Sequence, residues 1–440
     1  MHSYPREFVK FLLDHWESFP CVVSETPPVT LAGAAALPPP DILENLISTC
    51  YQASLLREET RPIRFRLILC EPDCFEPEGG PPTGMHRLVF TQARPFNERE
   101  LRLLSPAADF YRSLIGVKLD QDRGLLIWGI VHTGPDWIQV FHGGRKLFQP
   151  LPASFVVGVT SPGRIAVGNG SIIVATLNGG EIYCQSLDVF DSNWLPATFA
   201  GIRSELWELH TAARLPHWAK LDPDFVRIMG QHVVRRIIST IRNYRHGGTM
   251  IFLPLHRTAE IIAKNPYLSV KYQFMEEQPR HRFRTLMLEL MNTLAGTYGQ
   301  NGYSGRVVGW KEFTKDRNEA LAQLDEAIFE MASLISVLSA VDGAVVLTNR
   351  LELLGFGAVI LGDIDQVQVV ARALDAEGEK IELEKTEGFG TRHRSAYLFS
   401  NQLHDALVIV ISQDGNVQFV KWKDTVVTYW DQVAASMLDF

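Results

Sequence analysis

The chain has 440 residues, 46% hydrophobic and 21% charged, which is typical of soluble globular proteins with two or three domains. Its formal net charge of −8 excludes a general nucleic-acid-binding protein, because non-specific affinity for phosphate backbones requires a basic surface. No segment reads as a secretory signal or as the ~20 apolar residues of a membrane span. We therefore expect a cytoplasmic protein that binds neither nucleic acid nor a membrane.

The first predicted domain, residues 1–200, is an α+β region that is rich in strands. Helical patterns are predicted at residues 6–16 and 42–55. Alternating apolar residues then predict strands at residues 63–70, 87–90, 125–132, 137–141, 155–160, 164–167 and 172–177. Turn residues such as Ser161-Pro162-Gly163 separate them, so we expect antiparallel hairpins.

The second predicted domain, residues 201–298, is a mainly helical continuation of the first. Apolar residues at every fourth position from Phe225 to Ile241 predict an amphipathic helix that ends before Gly247-Gly248. The opposite face of this helix carries Arg227, Arg235, Arg236, Arg242 and Arg245. This face either binds a phosphate ligand or, as is more common, pairs with acidic neighbours.

The third predicted domain, residues 299–440, alternates helices with strands. Apolar residues spaced by three and four predict a core-facing helix from Leu321 to Leu338. Strands follow at residues 344–347, 356–361, 366–373, 406–412 and 417–422, with helices after Thr391 and from about residue 425. This alternation predicts an α/β domain, a mixed sheet with flanking helices.

The segment Gly390-Thr391-Arg392-His393-Arg394 is the first candidate site. Thr391 is predicted to cap a helix, and a helix N-terminus presents free N–H groups and a partial positive charge that suit a phosphate. Basic side chains here oppose the helix dipole, at a cost of roughly a few tenths of a kcal/mol each. A bound anion would remove this conflict; an ordinary surface cluster is the alternative.

Two further motifs flank buried strands. In Asp342-Gly343-Ala344 the small residues let a base or ribose approach the backbone, and the carboxylate can hold a metal or orient a ribose hydroxyl. The alternative is an ordinary helix-to-strand turn. Ser412-Gln413-Asp414-Gly415 follows an apolar strand, a common place for ligands, although Asp414-Gly415 is equally a hairpin turn.

Together the three motifs resemble the catalytic domain of diadenylate cyclases, which make cyclic di-AMP from two ATP molecules. The resemblance covers roughly residues 310–440. It implies that Asp342 is the essential aspartate, near a metal and the attacking ribose 3′-hydroxyl. It implies that Gly343 and Ala344 line the nucleotide pocket.

The same resemblance assigns the phosphate end of the site. The residues that it implies grip the triphosphate are Thr391, Arg392, His393 and Arg394. Ser412 and Asp414 are implied to lie near the phosphates and the metal, so that Asp342 and Asp414 are the metal candidates and Arg392, His393 and Arg394 join Asp342 as catalytic candidates. The implied cofactor is Mg²⁺ or Mn²⁺.

The implied chemistry is attack of a 3′-hydroxyl on the α-phosphorus with loss of pyrophosphate. A family member binds one ATP per domain, so two catalytic domains must meet face to face in a two-fold assembly. The upstream region is similar to that of soluble members in which a sensor precedes the cyclase. We therefore expect an unknown signal ligand for residues 1–298.

The sequence departs from the family pattern in three places. Val341 stands where a histidine is common, Gln413 stands where an acid is usual, and the stretch between Gly343 and Arg392 is long. Two alternatives stay open on this basis: a catalytically silent sensor of ATP or cyclic dinucleotides, and a cyclase with a different cyclic dinucleotide as product.

Overall fold

The computed structural model describes residues 4–16, 37–80, 84–110, 112–133, 151–170, 172–184, 188–244, 246–263, 265–299, 305–316, 318–413 and 415–432. The described residues up to Cys184 form one compact unit, and those from Asp188 onward form another. Each unit has its own sheet and its own apolar core. None of the helices within these ranges has the length and apolar character needed to cross a bilayer.

The first unit packs helices against an eight-stranded sheet. The helices are α1 (Pro5–His15), α2 (Pro40–Ser54) and α3 (Glu98–Leu104). A short ladder joins β1 (Arg57–Glu58) and β2 (Arg61–Pro62). The sheet contains β3 (Phe65–Leu69), β4 (His86–Pro95), β5 (Ser113–Asp120), β6 (Gly124–His132), β7 (Phe155–Ser161), β8 (Arg164–Asn169), β9 (Ile172–Asn178) and β10 (Glu181–Cys184). Its strand order is β10-β9-β8-β7-β3-β5-β6-β4.

The predicted strand-rich character of this unit is confirmed. The predicted strand at residues 137–141 lies outside the described residues, and the sequence patterns missed α3 and β5. Gly116 interrupts the apolar pattern of β5, and the indole of Trp128 packs where a Cβ would stand. The expectation of antiparallel hairpins holds only in part. Strand β5 pairs with β3 in parallel, and the antiparallel pairs β3–β7 and β4–β6 join strands that are not consecutive in sequence.

The second unit is a nine-stranded sheet with helices on both faces. Its helices are α4 (Trp194–Thr198), α5 (Ala200–Ala213), α6 (Phe225–Tyr244), α7 (Thr258–Ile262), α8 (Arg282–Tyr298), α9 (Trp310–Lys315), α10 (Glu319–Leu338) and α11 (Thr391–Gln402). A separate parallel ladder joins β11 (Lys220–Leu221) to β14 (Val307–Val308). The strands of the large sheet are β12 (Gly248–Leu253), β13 (Leu268–Gln273), β15 (Ala344–Thr348), β16 (Leu353–Ile360), β17 (Val369–Ala373), β18 (Ile381–Lys385), β19 (Leu407–Ile411), β20 (Val417–Lys423) and β21 (Val426–Asp431).

The order of the large sheet is β13-β16-β15-β12-β19-β20-β21-β17-β18. Strand β12 is an interior strand, between β15 and β19, and is buried on both faces. Met250 and Phe252 point into one core, with α6, α8 and α10, whereas Ile251 and Leu253 point into the other, with α11. The mixed α/β class predicted for this part of the chain is confirmed.

The structure divides the chain differently from the three predicted domains. Residues 201–298 contribute β12, which pairs with β15 on one side and β19 on the other, so they share a sheet with residues 299–432. The predicted C-terminal helix is wrong: β-branched and aromatic residues from Val426 form β21, which pairs with β20. The long stretch between the motifs extends the sheet as the hairpin β17–β18.

Candidate nucleotide site

The start of two strands and the end of a third meet at one edge of the large sheet. Thr249 of β12 pairs in parallel with Ala344 of β15, and Gly248 pairs with Ile411 of the antiparallel β19. Neighbouring strands lie about 4.8 Å apart. Asp342-Gly343, which precedes β15, and Ser412, which follows β19, are therefore on opposite sides of the loop that enters β12.

The backbone at Gly343 is held tightly against β16. Its φ of +112° lies in the region that favours glycine. A Cβ on Gly343 would stand 2.6 Å from the carbonyl carbon of Gly357 and 2.8 Å from the nitrogen of Ala358. The missing side chain is thus required by sheet packing, while Asp342 itself is exposed. The side chain of Ala344 lies in the core, where it is 2% exposed.

The basic motif forms the first turn of α11. Gly390 is the N-cap, with an extended backbone (φ −67°, ψ 161°), and its carbonyl accepts a hydrogen bond from Arg394 N–H at 3.2 Å. Thr391 therefore occupies the first helical position, and its prediction as the cap is wrong. The glycine N-cap provides no side-chain hydrogen bond to this turn, and the N–H groups of the turn lie at the positive end of the helix dipole.

Arg392 connects this helix to the loop before β12. One guanidinium nitrogen donates to the carbonyl of His246 at 3.3 Å. The guanidinium also stands where a side chain on Gly247 would be, and Gly247 has a φ of +64°. Glycine adopts this positive φ without strain, and its lack of a side chain leaves room for Arg392. Arg392 is exposed and can therefore reach an anion.

The other two basic residues are less available in the free protein. Burial, followed by the nearby charge of Arg392, lowers the pKa of His393 below its ordinary value, so its imidazole is neutral at pH 7. Arg394 forms an ion pair with Asp365, which lies in a short 3-10 helix (Ile364–Gln366) and is 75% exposed. Arg392 is therefore the most accessible cation of the three.

Ser412 closes the turn between β19 and β20. Its hydroxyl oxygen accepts from Asn416 N–H at 3.0 Å, and its own N–H donates to the Asn416 carbonyl at 2.8 Å. The hydroxyl hydrogen is still able to donate to a phosphate oxygen. The buried Arg242 of α6 supports the turn by donating to the carbonyl of Gly415 at 2.8 Å. Asp414, the second metal candidate, lies outside the described residues.

The structure adds residues that sequence reasoning did not place at this edge. His246, Gly247 and Arg242 belong to the end of α6 and the loop after it. The signal was present, since a Gly-Gly pair between an amphipathic helix and a buried strand marks a close backbone approach, but it was interpreted only as a helix stop.

The arginine face of α6 pairs mainly with acidic neighbours, the more common of its two interpretations. Arg235 contacts Asp188 at 2.7 Å and Arg236 contacts Asp325 at 2.9 Å. Arg227 contacts Asp224 at 3.1 Å. Arg245 lies outside the described residues.

The described residues contain no group of three or more His, Cys, Asp or Glu placed to hold a metal ion. A nucleotide-bound Mg²⁺ commonly takes only one or two carboxylates and fills its other positions with waters and phosphate oxygens. The exposed carboxylate of Asp342 fits such a role.

Comparison with known families follows the same division of the chain. The model of the family described as DisA bacterial checkpoint controller nucleotide-binding matches residues 318–424, which include all three motifs. The family described as probable sensor domain DACNV matches residues 32–132. No curated protein and no solved structure matches the chain significantly.

These matches confirm the resemblance inferred from the motifs and support a function of the diadenylate cyclase type. Gly247 and Arg242 lie upstream of the matched segment, although they belong to the same compact unit. Residues 318–424 are therefore similar to the family described as DisA bacterial checkpoint controller nucleotide-binding, and residues 32–132 upstream of them are similar to the family described as probable sensor domain DACNV.

Proposed function

We propose that the protein is a diadenylate cyclase that condenses two ATP molecules into cyclic di-AMP and releases two pyrophosphates. The observation that carries this proposal is the meeting, at one sheet edge, of the loops that bear Asp342 and Ser412 with the loop that Arg392 contacts. An exposed carboxylate lies on one side of the glycine loop and an exposed guanidinium on the other. This arrangement suits a nucleotide whose ribose faces the carboxylate and whose phosphates face the guanidinium.

In the proposed reaction each ATP is attacked by the ribose of the other. The 3′-oxygen bonds to the α-phosphorus, the bond between the α-phosphorus and its bridging oxygen to the β-phosphate breaks, and pyrophosphate leaves. We propose that Asp342 orients the hydroxyl and takes up its proton. Arg392, Arg394 and the N–H groups of α11 stabilise the charge on the phosphates.

The proposed cofactor is Mg²⁺ or Mn²⁺, held by Asp342, with Asp414 as the second candidate ligand. When bound, such a cation neutralises phosphate charge and polarises the α-phosphoryl group. Formation of a two-fold symmetric product from one ATP per domain requires a second copy of the chain, with the two sites face to face. We further propose that a ligand of the N-terminal region alters this assembly.

The direct test is to incubate the full chain with ATP and either Mg²⁺ or Mn²⁺ and to identify the product by mass spectrometry. We expect cyclic di-AMP, and Asp342→Asn and Arg392→Gln should each lower its formation by about 100-fold or more. Glu326→Gln, an exposed carboxylate on α10, is the matched control and should keep the wild-type rate. Wild-type turnover in both site variants would contradict the assigned roles.

A second candidate function is a nucleotide sensor without turnover. The ion pair between Arg394 and Asp365 and the neutral state of His393 favour this alternative. Of the three basic residues of the motif, only Arg392 then offers an accessible positive charge to the phosphates. Tight ATP binding with no product under either metal would establish this alternative. A product that contains another base would instead identify a cyclase of different specificity.

A further inference from the structure

A cavity in the second unit lies well away from the nucleotide site. Its enclosed volume is about 40 Å³, and the space continues into open solvent. Its walls come from α4, α5, the first half of α6, α8 and the turn after β15. Along α6 its position at Gly230 is about 20 Å from the helix end that contacts the nucleotide loop.

The walls are largely apolar. Phe190, Phe283 and Leu351 are each less than 5% exposed and line the space. Phe190 is fixed from behind by the guanidinium of Arg235, 3.9 Å from its ring centre. Such walls suit an alkyl or aryl group, and they offer few partners to the polar edges of a nucleobase.

Gly230 shapes the floor of the cavity. A Cβ at this position would meet nothing within 4 Å, so the space of its missing side chain is open. A glycine in the middle of a helix is destabilising relative to alanine. The helix thus carries a destabilising residue at a point where it borders the cavity.

Leu351 is a second destabilising residue at the cavity, because of its backbone conformation. Its φ of +60° is unusual for a leucine and strains the backbone. The strained turn directs an apolar side chain into the cavity wall, where it is 4% exposed. Strained backbone of this kind is concentrated at ligand sites in other proteins.

One cation at the cavity is incompletely compensated. Arg203 lines the space and donates to the carbonyl of Pro196. Among the residues that the structure describes, no carboxylate lies within 4.0 Å of its guanidinium, whereas the neighbouring Arg227 is paired with Asp224 at 3.1 Å. Burial, followed by the charge of Arg227, lowers the pKa of Arg203, so a bound anion would relieve an existing electrostatic cost.

We propose that this cavity binds a small amphipathic monoanion, with its carboxylate on Arg203 and its apolar body against the aromatic walls. The site shares no side chain with the nucleotide site. Its occupation is therefore measurable by binding alone, whether or not the protein makes cyclic di-AMP.

The test is titration calorimetry of the full chain with sodium octanoate and with 1-octanol, its neutral analogue. We expect octanoate to bind about tenfold or more tightly than octanol, since only the anion meets the guanidinium. The Arg203→Gln variant should bind the two ligands with about equal affinity. Undetectable octanoate binding up to about 10 mM, or equal affinities in the wild-type protein, would overturn the proposal.

A pair of glycine variants locates the ligand. Gly230→Leu fills the cavity and should weaken octanoate binding by about tenfold or more. Gly201→Leu, on α5 and outside the cavity lining, is the matched control and should bind as the wild type does. Unchanged affinity in a folded Gly230→Leu protein would place the ligand elsewhere; if that variant does not fold, the Arg203→Gln comparison decides.

Discussion

Gly343 holds the turn that presents Asp342. Because its φ is +112° and the backbone of Gly357 and Ala358 fills the space beside it, any side chain here must displace β16. The precise position of the Asp342 carboxylate thus depends on a residue that need not touch the nucleotide at all.

We therefore expect Gly343→Ala to destabilise the second unit by about 1–3 kcal/mol, which lowers its melting temperature by roughly 2–10 °C. Cyclase activity should fall further than the melting temperature explains, because Asp342 moves with the turn. Gly388→Ala is the control, since a Cβ there meets nothing within 4 Å. A melting temperature equal to that of the control would contradict this prediction, because it would show that β16 shifts to accommodate the added methyl group at little cost in free energy.

His393 is expected to change its protonation when phosphates bind. Its pKa is lowered in the free protein, so the neutral form predominates near pH 7, and a neighbouring triphosphate would raise that pKa. ATP binding should then take up protons at about pH 6.5, and the uptake should fade toward about pH 8.

Calorimetry of ATP binding in buffers of different ionisation enthalpy measures this uptake. The His393→Gln variant corrects for protons taken up by ATP itself. If the wild type and this variant take up equal numbers of protons at each pH, His393 does not lie close to the phosphates.

At the scale of elements, the 3-10 helix at Ile364–Gln366 carries a carboxylate, that of Asp365, which would compete with a bound phosphate for Arg394 of α11. Asp365 pairs with Arg394 in the free protein, although an exposed pair of this kind is weak. Arg394 can therefore exchange Asp365 for a phosphate at a modest cost in free energy. This cost lowers the affinity of the site for ATP.

We expect Asp365→Asn to tighten ATP binding by up to about fivefold, as measured by calorimetry without turnover. Glu387→Gln removes an exposed charge close to α11 in sequence and controls for a general electrostatic effect. Weaker ATP binding in Asp365→Asn would indicate that Asp365 positions Arg394 productively.

Local signals predicted most elements, but not how they assemble. Turn residues and alternating apolar residues are visible within short windows, so the strands around Asp342 and Ser412 were predicted from the sequence. The pairing of Gly248 with Ile411 is not local, and neither is the contact of Arg392 with His246. For this reason the motifs were identified, whereas the glycine loop between them was missed.

At the scale of the whole molecule, the smallest folded catalytic piece should begin before β12. A fragment of residues 299–440 lacks this strand, which leaves the buried strands β15 and β19 with open hydrogen-bonding edges. We expect it to aggregate, and we expect residues 186–440 to be monodisperse by size-exclusion chromatography and to melt cooperatively. A soluble, cooperatively melting 299–440 fragment would contradict the central role of β12.

The position of β12 also bears on how the protein is made. During synthesis this wholly buried apolar strand leaves the ribosome long before Ala344 and Ile411, the residues that border it on its two sides. Contacts so distant along the chain form slowly, because the intervening loop must close first. The nascent chain thus exposes an apolar, aggregation-prone strand through much of translation. The yield of active protein should therefore depend on chaperones and on the rate of elongation more than on the final stability of the protein.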